Sequence, residues 1–335
     1  MLKELLEVYW PRVLNNMESM GKQETGVLLQ EPTVEESAKP SFFDEENLPF
    51  EDFVDMVENE LATVEKREGE TSEGYLNRIK EERKFFLGKI KDEKKKNVAK
   101  IMFDAQEYLV QFGVGVEKGD LPIKLKGAEL QRDVAEFIFE NNKLEEVTEI
   151  WRMYDKFFRS GGIGAQRMGE GMKSAILSMV GMKKILTKNY FAEVKFTIPE
   201  VDVFYSIDMV ATAKTENPKK GKLFFFQIKS LNGEKVTDVN WKQFGFGGLD
   251  WEAGNGLGDK ENNFKKGCGK YLEDNNDKFG DIDRDDFSAI FARLPVKSGG
   301  KSAIDMMGEP REELEQYVVD QLEIHNPELV KRINV

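Results

Sequence analysis

The sequence predicts an α+β protein: a helical N-terminal half, then an α/β half whose sheet is flanked by helices. Two observations carry this. Up to about residue 160 the apolar residues recur at helical spacing. After Gly164, three stretches rich in Val, Ile, Phe and Tyr succeed one another, separated by turn chemistry and bracketed by helical patterns.

The elements follow in chain order. Leu2, Leu5, Leu6 and Tyr9 predict a short amphipathic helix up to Trp10-Pro11, resuming to about Met20. Residues 21–47 are polar and acidic and contain Pro32 and Pro40, the composition of a linker. Phe50, Phe53, Val54, Val57 and Leu61 form one stripe of a helix over 50–65. Thr71-Ser72-Glu73 supplies capping residues for a long helix to about Phe112, and its Lys91 to Lys96 segment is too charged to be buried. A further helical run covers about 128–158, broken near Asn141-Asn142, and Ser160-Gly161-Gly162 closes it as a turn.

In the second half, a helix is expected from Ala165 to Leu186, followed by strands at 191–198, 201–213 and 222–229. Pro199-Glu200 and Asn217 to Gly221 mark the turns between them, so the three strands read as antiparallel. Leu223-Phe224-Phe225-Phe226 is apolar on both faces, as a central strand covered by helices would be. A Gly-rich loop (245–258), a helix at 260–275, a strand at 287–296 and a closing helix at 310–324 complete the chain. The domain division this suggests is an acidic arm (1–70), a helical domain (71–160) and an α/β core with a C-terminal helix (161–335).

Composition excludes several functions. One cysteine, Cys268, cannot form an internal disulfide, which points to an intracellular, cytoplasmic protein. One histidine, His325, leaves no two-histidine metal site or mechanism, and a Ser-His-Asp triad has no supporting motif. There is no signal-peptide core and no apolar run near the ~20 residues that span a bilayer, so no membrane partner is expected. The formal charge is −13 over 335 residues, which by itself argues against a polyanionic partner. Its distribution changes that conclusion. Residues 1–70 carry 6 basic and 18 acidic side chains, whereas residues 161–273 carry 17 basic and 13 acidic. The acidic arm is then expected to dock on, or cover, a basic core.

The residues that could carry chemistry are Asp208, in the second strand, and Gln227-Ile228-Lys229, at the end of the third. A turn centred between Pro218 and Lys219 sets Asp208 opposite Lys229, about 5 Å apart at Cβ, with Gln227 diagonal on the same face. A one-residue slip would send Asp208 to the other face. A carboxylate, an amide oxygen and an ammonium converging there suit a hard divalent cation and a phosphate.

Helix, three antiparallel strands, helix and strand, with Asp208 and Gln227-x-Lys229 at those places, resemble the PD-(D/E)XK nuclease superfamily over roughly residues 160–300. The resemblance implies a restriction-endonuclease-like core with a mixed sheet and a metal-dependent endonuclease that hydrolyses phosphodiester bonds in nucleic acid, with DNA the expected substrate. It implies Mg²⁺ or Mn²⁺ as the cofactor. Asp208 takes the metal-binding aspartate's place, Gln227 that of the second acid, and Lys229 that of the lysine. Ile228 would offer its backbone carbonyl and Glu170, on the preceding helix, a further metal-holding carboxylate. Two positions depart from the family pattern: Ile207 stands where a proline precedes the aspartate, and Gln227 removes one negative charge. The alternative is a weak or inactive nuclease-like protein that binds nucleic acid or docks a partner. A third reading is a helical interaction protein using a coiled coil through Tyr75 to Phe112. In either case the helical N-terminal half offers a surface for a homodimer or a partner protein.

Other motifs have plainer readings. Lys265, Lys266 and Lys270 could contact phosphates or could form a solvated helix face. Trp241, Phe244, Phe246 and Trp251 could stack on bases but fit packing at a core edge. Ser298 to Ser302 imitates a P-loop end, yet Pro295 holds the place of its first glycine, which leaves a turn. Asp281, Asp283, Asp285 and Asp286 lack the glycine and glutamate of a calcium loop. Glu193 and Lys195 read as a structural ion pair.

Overall fold

The computed structural model describes residues 48–335 except 65, 114–119, 215–221, 234, 236, 246–257, 277–285, 299–300, 328 and 330–335. The N-terminal helix, most of the acidic arm, Phe246, Trp251, the Gly-rich loop and the acidic loop therefore lie outside the described residues. The protein is α+β, with helices through its N-terminal half and the sheet in its C-terminal half. Its contacts group into two compact units, 1–123 and 124–335.

In the first unit, α1 (Phe50–Thr63) buries Phe53, Val54, Val57 and Leu61, the stripe its spacing predicts. The long helix expected from Thr71 to Phe112 is two helices, α2 (Ser72–Leu87) and α3 (Glu93–Gly113). Thr71 caps α2 by accepting from Gly74 N at 3.0 Å. Gly88 ends it, and Asp92 opens α3 by accepting from Lys95 N at 2.8 Å. The helices pack on each other through Phe86 and Phe103, with ring centroids 5.6 Å apart. The break removes the single long helix on which the coiled-coil reading rested.

The second unit begins inside α4 (Leu121–Glu140). In α5 (Leu144–Ser160), Val147, Ile150, Trp151, Tyr154 and Phe158 are buried on one face. Trp151 Nε1 donates to Met306 O at 2.8 Å. Next comes α6 (Gly162–Lys188), in which Gly169 is required by close approach: a Cβ there would lie 2.5 Å from Phe158 Cγ.

The sheet is mixed, in the order β1-β2-β3-β5-β4. Strands β1 (Phe191–Phe196), β2 (Met209–Ala213) and β3 (Leu223–Gly233) run antiparallel, and β5 (Phe287–Ser298) is parallel to β3. The crossover between β3 and β5 contains the edge strand β4 (Asn240–Gly245) and α8 (Asp259–Asp274). Unexpected from the sequence, β4 pairs antiparallel with β5. After β5, β6 (Lys301–Ser302) turns back on it, and α9 (Glu312–His325) closes the chain. Asn326, fully buried just past α9, exchanges two hydrogen bonds with Gln243 of β4, at 2.7 and 3.0 Å. Among the described residues no helix is long and apolar enough to cross a membrane.

The two faces of the sheet pack different layers. Lys183 of α6 lies 4.3 Å from the Phe196 ring, and Phe196, Met209 and Phe226 are in register, so α6 covers that face. Phe225, Phe287, Ala289 and Phe291 point the other way, into a core completed by Phe264 and Cys268 of α8. Cys268 is a fully buried packing residue whose thiol burial pushes well up.

One expectation fails where it matters most. The stretch from Val201 to Ala213 is not a single strand: Pro199–Tyr205 forms a short helix, α7, and only Met209–Ala213 is strand. Pro199 stands at the start of this helix, where its fixed φ is favourable and its missing N–H costs nothing. Glu200 and Asp202 lie in the first turn, and Ser206 ends the helix in a left-handed conformation, φ 58°.

Candidate active site

Helix α7 is held over the start of β2 by its contact with α8. At Gly267 an added Cβ would lie 2.0 Å from Tyr205 O, so only glycine admits this approach. Tyr205 Oη donates to Asp274 Oδ2 at 2.8 Å. Its burial, and then that carboxylate, push its phenol up to about 12. On the other side Thr197 ties the end of β1 to the segment before β2, donating through Oγ1 to Ile207 O and through N to Asp208 O, the latter at 3.1 Å.

Asp208 is thereby fixed at the entry to β2. Its N–H donates to Phe226 O at 2.8 Å, and its Oδ2 accepts from Ile228 N at 2.6 Å. The carboxylate takes the place in the ladder that a longer β2 backbone would occupy. A residue's N–H and C=O point to the same edge of an antiparallel strand, so the Ile228 carbonyl is directed toward this edge too.

The register differs from expectation by two residues. Met209 pairs with Phe226, so one further step brings Asp208 beside Gln227 rather than opposite Lys229. The hairpin is centred a residue earlier than assumed: Ala213 N donates to Lys222 O at 3.0 Å. A shift of two preserves the face, and Gln227 and Lys229 project from the same side of β3. Lys229 Nζ lies 3.6 Å from Asp208 Oδ2, its side chain 39% exposed against 4% for Asp208. Gln227, 7% exposed, has a buried Oε1 with no hydrogen-bond partner among the described residues. Leaving such an atom unpaired costs about 1–3 kcal/mol.

The sequence reading missed Asp202. Asp202 lies in the first turn of α7, part-buried, and within reach of the charges of Asp208 and Lys229. Its own burial, and then the charge of Asp208, push Asp202 well above the usual carboxylate range, with Lys229 opposing. The signal available was Pro199 followed by two acids, a helix start inside a stretch whose Val, Phe and Tyr content resembled a strand.

Glu170 is not part of this cluster. It is exposed on α6, against the opposite sheet face, and accepts from Gln166 Nε2 at 3.1 Å. The three lysines of α8 also divide. Lys266 and Lys270 are exposed, one turn apart, whereas Lys265 is buried with its Nζ 5.8 Å from the Phe244 ring. Phe244 packs against the core, and Glu193 and Lys195 pair at 2.5 Å. Beside Lys229 in register stands Arg293 of β5, which contacts Glu261 of α8 at 3.2 Å. His325 ends α9, exposed.

Asp208 Oδ1, the orphaned Gln227 Oε1 and the Ile228 carbonyl are hard oxygen donors at one strand end, with a cation beside them. That donor set fits Mg²⁺ or Mn²⁺ and has no soft ligand to favour zinc. No family model, curated protein or solved structure matches this chain.

Proposed function

We propose that the protein is a divalent-metal-dependent phosphodiesterase that cuts nucleic acid, with DNA as its substrate, built on a PD-(D/E)XK-type core. One observation carries the reading: a buried carboxylate, an unpartnered buried amide oxygen and a lysine ammonium meet where β2 begins beside β3. The order helix, three antiparallel strands, helix, parallel strand supports it as well, although α7 interrupts it between β1 and β2 and the edge strand β4 precedes α8.

Asp208, Gln227 and the Ile228 carbonyl would hold the metal. When bound, such an ion supplies an activated water at neutral pH and offsets phosphate charge. Lys229, half in solvent, holds its positive charge against the scissile phosphate and steadies the charge that develops there. Arg293, next to it on the same face, extends the cationic strip along which a phosphate backbone would lie. Lys266 and Lys270 add exposed cations on α8; Lys265, being buried, does not.

A non-catalytic binding role is favoured by one feature, the commitment of Asp208 Oδ2 to Ile228 N–H and Lys229. The assay separates the two. Plasmid, linear and single-stranded DNA and RNA are incubated with Mg²⁺, Mn²⁺ or EDTA, alongside Asp208→Ala and Lys229→Ala. Metal-dependent cleavage of DNA should fall about 10²- to 10⁴-fold in both variants. Cleavage that survives both substitutions would remove the site assignment, and no cleavage of any substrate would leave the binding role.

A further inference from the structure

We infer that Arg293, positioned by Glu261, binds the phosphate next to the scissile one, so that the substrate is a strand carrying at least two successive phosphates rather than any single phosphodiester. The inference rests on the proposed phosphodiesterase reading and deepens it. Three features separate Arg293 from an ordinary surface cation. First, it stands in register beside Lys229 on the neighbouring parallel strand, and Asn240 of the edge strand β4 is its partner on the other side. Residues in register share a face, so Lys229, Arg293 and Asn240 form a row that crosses the sheet away from Asp208. The two cations turn in different directions. Lys229 Nζ lies 3.6 Å from Asp208, whereas Arg293 Nη2 meets Glu261 of α8 at 3.2 Å, so they serve different positions along the row.

Second, Arg293 is anchored at its base. Besides the contact with Glu261 Oε1, its Cζ lies 5.3 Å from the centroid of the Phe291 ring, itself part of the α8 core. Glu261 is buried three residues past the helix cap at Gly258, where an added Cβ would lie 2.5 Å from Glu261 Oε2. Glycine there leaves room for the carboxylate that holds the arginine. Third, the pair is unequal. The Arg293 side chain is 35% exposed against 9% for Glu261, so the acid lies inside the protein and the guanidinium is presented at its surface. An arginine fork has donors beyond the one that meets Glu261, and its planar shape matches two phosphate oxygens.

The test compares kcat/KM for Mg²⁺-dependent cleavage at one central bond of a short DNA strand, alone and in duplex, by the full chain. One substrate carries phosphates throughout, and others carry a single neutral methylphosphonate at the linkage on either side of that bond. In wild type the methylphosphonate on one side should lower kcat/KM about tenfold, and Arg293→Ala should lower it about tenfold on the all-phosphate strand. The two losses should not add: in Arg293→Ala the same methylphosphonate should cost under about twofold. Glu261→Gln keeps the side chain's length, should raise KM more than it lowers kcat, and should blunt the same methylphosphonate effect, a coupling that lost packing alone would not produce. Arg293→Gln serves if the alanine variant does not fold. A wild type indifferent to both methylphosphonates, or Arg293 variants as sensitive to them as wild type, overturns the inference and leaves the proposed function standing. Full wild-type sensitivity in Glu261→Gln overturns its positioning role. A wild type that cuts none of these substrates overturns both the inference and the reading beneath it.

Discussion

Strand β3 presents two chemistries from alternate residues. Phe224, Phe226 and Ile228 face the α6 side, almost wholly buried, and the Phe191 ring meets those of Phe224 and Phe226 at 5.1 and 6.1 Å. On the opposite side Phe225 packs into the α8 core, but Gln227 and Lys229 then replace apolar residues as the strand passes the start of β2. One face is fully satisfied by packing. The other carries an orphaned oxygen, a buried carboxylate and a half-exposed ammonium within a few residues. The first face offsets the instability of the second, which is how a fold keeps polar groups positioned for a ligand rather than for its own stability.

The largest effect should come from damaging the satisfied face. Phe226→Ala removes a fully buried ring from the strand that also carries the polar site, and should cost about 3–5 kcal/mol in urea unfolding. A loss well under 1 kcal/mol would mean that the apolar face does not anchor β3. The opposite sign is expected across the strand. Gln227→Met replaces the unpartnered amide with an apolar chain of similar length and should raise stability by about 1 kcal/mol, while weakening Mn²⁺ binding. Equal destabilisation by both substitutions would erase the contrast between the faces.

A smaller effect lies in pH dependence. Asp202 holds its proton above the usual carboxylate range, so the folded state binds more protons than the unfolded state over that interval. Its contribution to stability therefore falls as pH rises from the ordinary carboxylate value to the raised one, and is level above it. The difference in melting temperature between metal-free wild type and Asp202→Asn should widen in the variant's favour across that window. A difference that does not change with pH would place Asp202 in a solvated setting.

The sequence was most informative where period and polarity coincide. Asp208, Gln227 and Lys229 came together despite a two-residue error in register, because a strand repeats its facing every two residues. The α1 and α5 stripes were legible for the same reason, their apolar residues matching the helical period. Three elements were not. Asp202 was hidden because Val201, Val203, Phe204 and Tyr205 resemble a strand, and only Pro199 signals the helix they form. The break between α2 and α3 depends on Gly88 and the Asp92 cap, local signals inside a charged run that otherwise continues the helix. Strand β4 is six residues at an edge, its burial set by β5 and Asn326 rather than by its own pattern.

The smallest expected effect is also the sharpest test of how the faces divide. Glu170→Gln alters a residue that family resemblance, but not local geometry, assigns to the metal. Glu170 is exposed on α6, and among the described residues its carboxylate accepts from Gln166 one turn away, while Asp208 is buried at the start of β2 on the other side of the sheet. Gln keeps the side chain's length and helix propensity, so stability should change by less than about 0.5 kcal/mol. Metal-dependent cleavage and Mn²⁺ affinity should both stay within about twofold of wild type, well under the tenfold that corresponds to 1.4 kcal/mol. A tenfold loss of Mn²⁺ affinity in Glu170→Gln would place Glu170 at the metal and require α6 to reach it around the edge of β1.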